Sequence, residues 1–156
     1  MKHQALAYAQ SMRAILNTIQ AQEMDKILQA AELLADAVAQ DGIVYTFGTG
    51  HSHVVAEDVA YRAGGLVPVD AILEAALAGH EKVRQSEFME RVEGVAKVIM
   101  DYYRPTSRDA IVIISNSGRN AAPVEMAMEA GQRGMPVIAI TSLAHSQGVT
   151  SRHSSG

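Results

Sequence analysis

Two short stretches of this chain concentrate residue types that bind anions. The first is Ser115-Asn116-Ser117-Gly118-Arg119-Asn120, which follows the branched apolar run Ile111 to Ile114 and precedes a helical pattern, AAPVEMA. A strand, a hydroxyl-rich turn and a helix N-terminus together offer backbone N–H groups and the positive end of a helix dipole to an anion. Ser115, Ser117 and Asn120 add side-chain donors suited to phosphate oxygens. Gly118 lets the backbone approach a ligand without a Cβ in the way, and Arg119 offers a charge-assisted contact. The same residue types are also good turn formers, so this loop alone does not decide the matter. The second stretch, Gly48-Thr49-Gly50-His51-Ser52-His53, repeats the arrangement after the apolar run Ile43 to Phe47.

The elements that must carry these loops are legible from hydrophobic periodicity. Residues 4–41 read as helix in two segments, with an interruption near Asn17 to Gln22. Ile43 to Phe47 reads as the first strand, followed by a helix through about Ala63 and a short strand, Leu66 to Val69. Ala71 to Ala78 has helical character, and Gly79 to Lys82 reads as a polar loop. Phe88 to Tyr103 forms an amphipathic helix with Val92, Val95, Ala96 and Ile99 on one face. Ile111 to Ile114, apolar on both faces, reads as a buried parallel strand. Asn120 is placed to cap the next helix, and Pro123 fits its first turn. Pro136 to Ile140 is the fourth strand, ending in another hydroxyl-rich loop, Thr141 to Ser146. Strands alternating with helices imply an α/β fold with a mostly parallel sheet and helices on both faces. In such sheets ligands bind beyond the carboxyl ends of strands, at a topological switch point, and all three loops fall at such ends.

Composition narrows the function classes. The 156 residues, 48% of them hydrophobic, suffice for one domain with a sizeable core. A net charge of −4 without a basic stripe argues against nucleic acid as a partner. The chain has no cysteine, so it can hold neither a disulfide nor a thiolate metal site. No signal pattern or membrane-spanning run is evident, and a cytoplasmic location is expected.

The first loop admits two readings. It partly matches a dinucleotide fingerprint, with Asp70 about 20 residues on, where a ribose-binding acid belongs. His53, however, stands where that motif has its third glycine. A phosphosugar site, with Ser52 near the sugar and the second loop gripping the phosphate, uses both loops and is preferred.

With these residues in view, GTGHS after the first strand, ISNSG after the central strand and AITS after the next resemble the SIS (sugar isomerase) domain family from about Ile43 onward. The chain looks closest to stand-alone bacterial SIS proteins labelled phosphosugar or phosphoheptose isomerases. The resemblance implies a three-layer αβα, flavodoxin-like fold with a five-stranded parallel sheet, in a homodimer or homotetramer. It divides the chain into a helical segment over 1–41, packing on the core or a partner subunit, and a phosphosugar-binding domain over 42–156. It implies that Ser115, Ser117, Gly118 and Asn120, with the Asn116 backbone, hold the phosphate, and that Gly50 and Ser52 approach the sugar. Two departures stand out. The family's domain normally continues past the position of Gly156 into a further strand and helix. Phosphoheptose isomerase also carries a glutamate in the helix after its first loop; here the register places Arg62, with Glu57 a turn and a residue earlier.

The activity this implies is aldose–ketose isomerisation of a sugar phosphate through an enediol, which needs an acid and a base near neutrality. Five histidines, His51, His53, His80, His145 and His153, fall in expected loops, and imidazole titrates in the right range. His51, His53, Glu57, His80 and Glu81 are the catalytic candidates. His51 and His53, with Asp58 or His80, also suggest a metal, but nothing fixes a third ligand, and neither metal nor cofactor is expected. A non-catalytic phosphosugar-sensing module and an amino-sugar-phosphate lyase or etherase are the alternatives.

Overall fold

The structure, a computed structural model, describes residues 2–156 and divides into two units, residues 1–35 and 36–156. The first unit is helical. It comprises α1 (Lys2–Gln22) and most of α2 (Met24–Ala39). The break falls at Glu23, just beyond the expected position, and the hydrogen-bond ladder runs across it: Glu23 N–H donates to Ile19 O and Ile27 N–H to Glu23 O, both at 2.9 Å.

The second unit is a parallel sheet with helices. Its elements are β1 (Val44–Gly48), α3 (His51–Asp58), β2 (Val69–Ala71), α4 (Val83–Met89), α5 (Val95–Tyr103), β3 (Ala110–Ile114), α6 (Ala121–Gln132), β4 (Val137–Ile140) and α7 (Leu143–Gln147). The strand order is β2-β1-β3-β4, and every pairing is parallel. The order reverses between β1 and β3, whose last residues, Gly48 and Ile114, pair directly. Four strands are described where the resemblance implied five.

Strand alternation assigns the layers. Tyr45, Phe47, Ile111 and Ile113 enter one core with Ile99 and Met100 of α5 and Met126 of α6. Thr46 points the other way, and its hydroxyl donates to Ala56 O of α3 at 2.8 Å. Helices therefore cover both faces, and β1 is buried along its whole length, as a central strand must be. Asp109 secures the start of β1: its carboxylate accepts from the N–H of Ile43 at 2.7 Å and of Thr106 at 2.6 Å.

Several local expectations are corrected. Helix α3 ends at Asp58 and does not reach Ala63, so Arg62 lies outside it; its guanidinium instead pairs with Asp58. The second strand begins at Val69, three residues later than its apolar run suggested, because Val69 to Ala71 are the residues that pair with β1. Ala71 to Ala78 holds only one 3₁₀ turn, Ala75–Leu77. The expected single helix from Phe88 to Tyr103 is two helices, broken where Gly94 takes φ 90°. There the Glu125 carboxylate, from α6, accepts the N–H groups of Gly94 and Ala96 and so caps α5. His51, Ser52, His53 and His145 belong to helices and not to loops, because α3 and α7 start earlier than the glycine and serine content suggested.

Candidate functional site

The reversal of strand order places the β1–α3 and β3–α6 loops side by side at the carboxyl edge of the sheet. The β1–α3 loop is tied to the segment after the 3₁₀ turn. Gly50 N–H donates to Leu77 O at 2.9 Å, and Gly50 forms an isolated parallel bridge with Ala78. Gly79 packs so closely that a Cβ there would meet Gly50 Cα at 2.9 Å. The N–H groups of Ser52 and His53 turn back to Thr49 O and Gly50 O. Three backbone donors of this loop are therefore spent on the fold, while the N–H groups of Thr49 and His51 have no acceptor among the described residues.

The same packing brings two candidate catalytic residues together. His53 is buried, and its ring lies 5.8 Å from that of His80. The Nδ1 atom of His53 has no partner among the described residues, so the ring keeps an unspent polar atom. His51, Glu57, His80 and Glu81 are exposed. The two histidines of His51-X-His53 diverge because residues two apart on a helix face different directions. Among the described residues no group of three or more His, Cys, Asp or Glu side chains gathers as a metal site would.

The β3–α6 loop is arranged differently. Ser115 Oγ accepts Gly118 N–H at 3.2 Å, a tight turn in which Gly118 takes φ 59°. Among the described residues no intramolecular acceptor meets the N–H groups of Ser117, Arg119, Asn120 and Ala121. Deeper in the first turn of α6 the donors are used: Ala122 N–H goes to Glu90 O at 3.0 Å, Val124 N–H to Asn120 O, and Pro123 has none. The free donors thus belong to the loop and the first helical residue.

Asn120 precedes α6 with extended backbone angles, as a cap residue should, but its side chain makes no capping bond. Its Oδ1 accepts instead from Arg152 Nη1 at 2.6 Å, and Arg152 N–H donates to Arg119 O at 2.7 Å. Residues 151–156 therefore lie against the loop. They are held further by Glu93, whose carboxylate accepts the N–H and hydroxyl of Ser154 at 2.7 and 2.8 Å. Those bonds hold the Glu93 carboxyl below its ordinary range. Ser117, Gly118, Arg119, Ser146 and Ser151 border a cavity of about 290 Å³.

Two residues in this setting escaped the sequence reading. Glu90 joins the two loops: its carboxylate accepts the Thr49 hydroxyl at 2.7 Å while its carbonyl accepts from α6. It was hidden inside what looked like one long helix. Arg152 carried no local signal, since only folding returns it to Asn120.

The chain matches known proteins along most of its length. A family model described as the SIS domain matches residues 7–142. A UPF0309 protein of Halalkalibacterium halodurans is 47% identical over 149 residues, covering 96% of this chain and 62% of the relative. One from Caldanaerobacter subterraneus subsp. tengcongensis is 43% identical over 150 residues, covering 96% and 61%. The chain thus spans about six-tenths of the length of these relatives. Among solved structures, the phosphoheptose isomerase GmhA from Neisseria gonorrhoeae superposes with a TM-score of 0.69 at 24% identity, covering 94% of this chain and 77% of that one. A phosphoheptose isomerase from Francisella tularensis gives 0.66 at 21% identity, covering 96% and 79%. These two likenesses establish a shared fold.

Proposed function

The chain belongs to the SIS-domain family, and from that premise we propose that it binds a sugar phosphate at the β1/β3 switch point and isomerises it between aldose and ketose. The observation that carries this reading is the set of free N–H groups at Ser117, Arg119, Asn120 and Ala121, beside a first loop that spends those of Gly50, Ser52 and His53 on the fold. The phosphate sits on these donors, with the Ser115 and Ser117 hydroxyls and the Asn116 backbone around it. Gly118 allows its close approach, and Asn120 orients the turn. Gly50 and Ser52 face the sugar.

Isomerisation moves one proton between adjacent carbons. A base takes the proton from C2 of the aldose while an acid protonates the carbonyl oxygen, giving the enediol; the proton then returns to C1 as the hydroxyl at C2 becomes the carbonyl. The His53–His80 pair is the preferred acid–base unit, because it alone among the candidates combines proximity with a free ring nitrogen. His51, Glu57 and Glu81 are exposed groups that a bound sugar or a second subunit would have to engage. Residues 42–156 form the binding domain in this reading. Residues 1–41 supply contacts to a partner in a homodimer or homotetramer in the cytoplasm. Loss of the oligomer, by light scattering, on deletion of residues 1–22 is the expected result for interface helices.

A second reading, a phosphosugar-sensing module without chemistry, is favoured by the exposure of four of the five catalytic candidates. Thermal stabilisation by sugar phosphates separates the two readings when followed by exchange of the C2 proton in deuterated water. Stabilisation with exchange is expected for the isomerase, and stabilisation without exchange identifies the sensor. No response to any sugar phosphate would overturn both. Among the described residues no helix is long and apolar enough to cross a membrane.

A further inference from the structure

The positive end of α6 holds positive side chains. Arg119 immediately precedes the Asn120 cap position, and the Arg152 guanidinium is fixed to the Asn120 side chain at 2.6 Å. Cations are favoured at helix C-termini and disfavoured at N-termini, where the dipole already supplies about half a positive charge. Among the described residues no carboxylate lies within 4.0 Å of Arg91, Arg119 or Arg152, whereas Arg62 and Arg133 each have an acidic partner. The Arg119 Nε atom is buried and lacks an acceptor, so that nitrogen has given up water without a replacement. Burial and then repulsion from Arg119 and Arg91 lower the Arg152 pKa, with Glu90 and Glu87 opposing in part. Glu90 turns its carboxylate to Thr49 and Glu93 turns its own to Ser154, so neither closes on the guanidinium groups. The arrangement is unfavourable in the free protein and favourable with an anion present.

A single phosphate monoester does not account for all of it. Near neutrality it carries about −1.5 to −2 charge, and the free N–H groups and helix dipole already receive it. Arg119 and Arg152 add two further charges, and Arg119 borders a polar cavity of about 290 Å³ with Ser117, Ser146 and Ser151. We propose that Arg119 and Arg152 form a second anion subsite, so that the ligand is a sugar phosphate bearing another anionic group, a carboxylate or a second phosphate. Both groups suit the planar fork of a guanidinium. This inference rests on the phosphosugar reading above.

The test is calorimetric titration of the full-length protein with three matched sets: hexose 6-phosphates, 6-phosphoaldonates and hexose 1,6-bisphosphates. The wild type should bind at least one doubly anionic set ten-fold or more tightly than the hexose 6-phosphates; which set gains distinguishes carboxylate from phosphate. In Arg152→Gln and Arg119→Gln that ratio should fall toward one, and Arg152→Lys should restore part of it. The ratio is read within each folded variant, so a general weakening of the loop does not imitate the result. Equal affinities across the sets in the wild type, or an unchanged ratio in both glutamine variants, would overturn the second subsite and leave the phosphosugar reading standing. Failure of all three sets to bind would overturn both.

Discussion

The loop after β1 and the loop after β3 are built from similar residues at equivalent ends of adjacent strands, yet they commit their backbone donors to different degrees. In the first, the N–H groups of Gly50, Ser52 and His53 are committed to Leu77 O, Thr49 O and Gly50 O. In the second, those of Ser117, Arg119, Asn120 and Ala121 have no acceptor among the described residues. Buried or half-buried backbone donors seldom stay unpaired; the second loop leaves more of them unspent than the first, where the N–H groups of Thr49 and His51 lack an acceptor among the described residues and that of Gly50 holds a neighbouring segment in place. Glycine and hydroxyl content therefore does not distinguish a binding loop from a supporting one. What distinguishes them is whether another part of the chain reaches the donors first.

If that contrast is right, the two loops should respond to substitution differently. The largest effect is expected from combining Ser115→Ala with Ser117→Ala, which should weaken sugar-phosphate binding by about 2–4 kcal/mol, taking ~1–2 per charge-assisted bond. Titration calorimetry reads this directly, and an unchanged affinity would remove the phosphate from this loop. Gly79→Ala should act on stability instead. Its Cβ would press on Gly50 Cα, and such overpacking costs about 1–3 kcal/mol in denaturant unfolding. Sugar-phosphate affinity of the folded variant should fall less than in the serine double variant, since Gly50 faces the sugar while the phosphate sits on the other loop; a loss as large would move the phosphate to the first loop.

Gly118→Ala is expected to cost about 1–2 kcal/mol, since Gly118 is left-handed at φ 59° while a Cβ would meet only the Ser146 and Thr141 hydroxyls at 3.5 and 3.6 Å. Here binding should weaken alongside stability. Loss of stability with full affinity would show that the ligand does not need the turn. The smallest effect concerns the strap at 151–156. The Glu93 carboxyl titrates below its ordinary 4.5 in the folded chain, so its bonds to Ser154 stabilise the strap above that pH and are lost as pH falls through the lowered value. Protection of the Ser154 amide, the slowing of its exchange relative to that of a free amide at the same pH, should therefore fall on acidification. Glu93→Gln should abolish that dependence, and an unaltered profile would dissociate Glu93 from the strap.

The contrast between the loops also marks what could be read in advance. The β3–loop–α6 unit was legible because its signals are local: a doubly apolar strand, a glycine in the turn and proline in the next helix's first turn. The alternation of strands and helices implied the parallel sheet for the same reason. The role of Asn120 was not legible. Its residue type favours capping, but Arg152, 32 residues away, takes the side chain. The helix expected from Phe88 to Tyr103 failed for a related reason. Apolar spacing continued through Gly94, and the Glu125 carboxylate that stabilises the break comes from another helix.

By itself, then, the sequence determined the kinds of element, their order and the two loops at strand ends, because backbone preference and hydrophobic period act over a few residues. Tertiary structure alone decided which loop keeps more of its donors, which histidine meets His80, and that Glu90 and Arg152 stand at the candidate site. Each of those outcomes depends on hydrogen bonds or packing between segments tens of residues apart. Local propensity carries no record of such partners, and they become visible only when the chain has closed on itself.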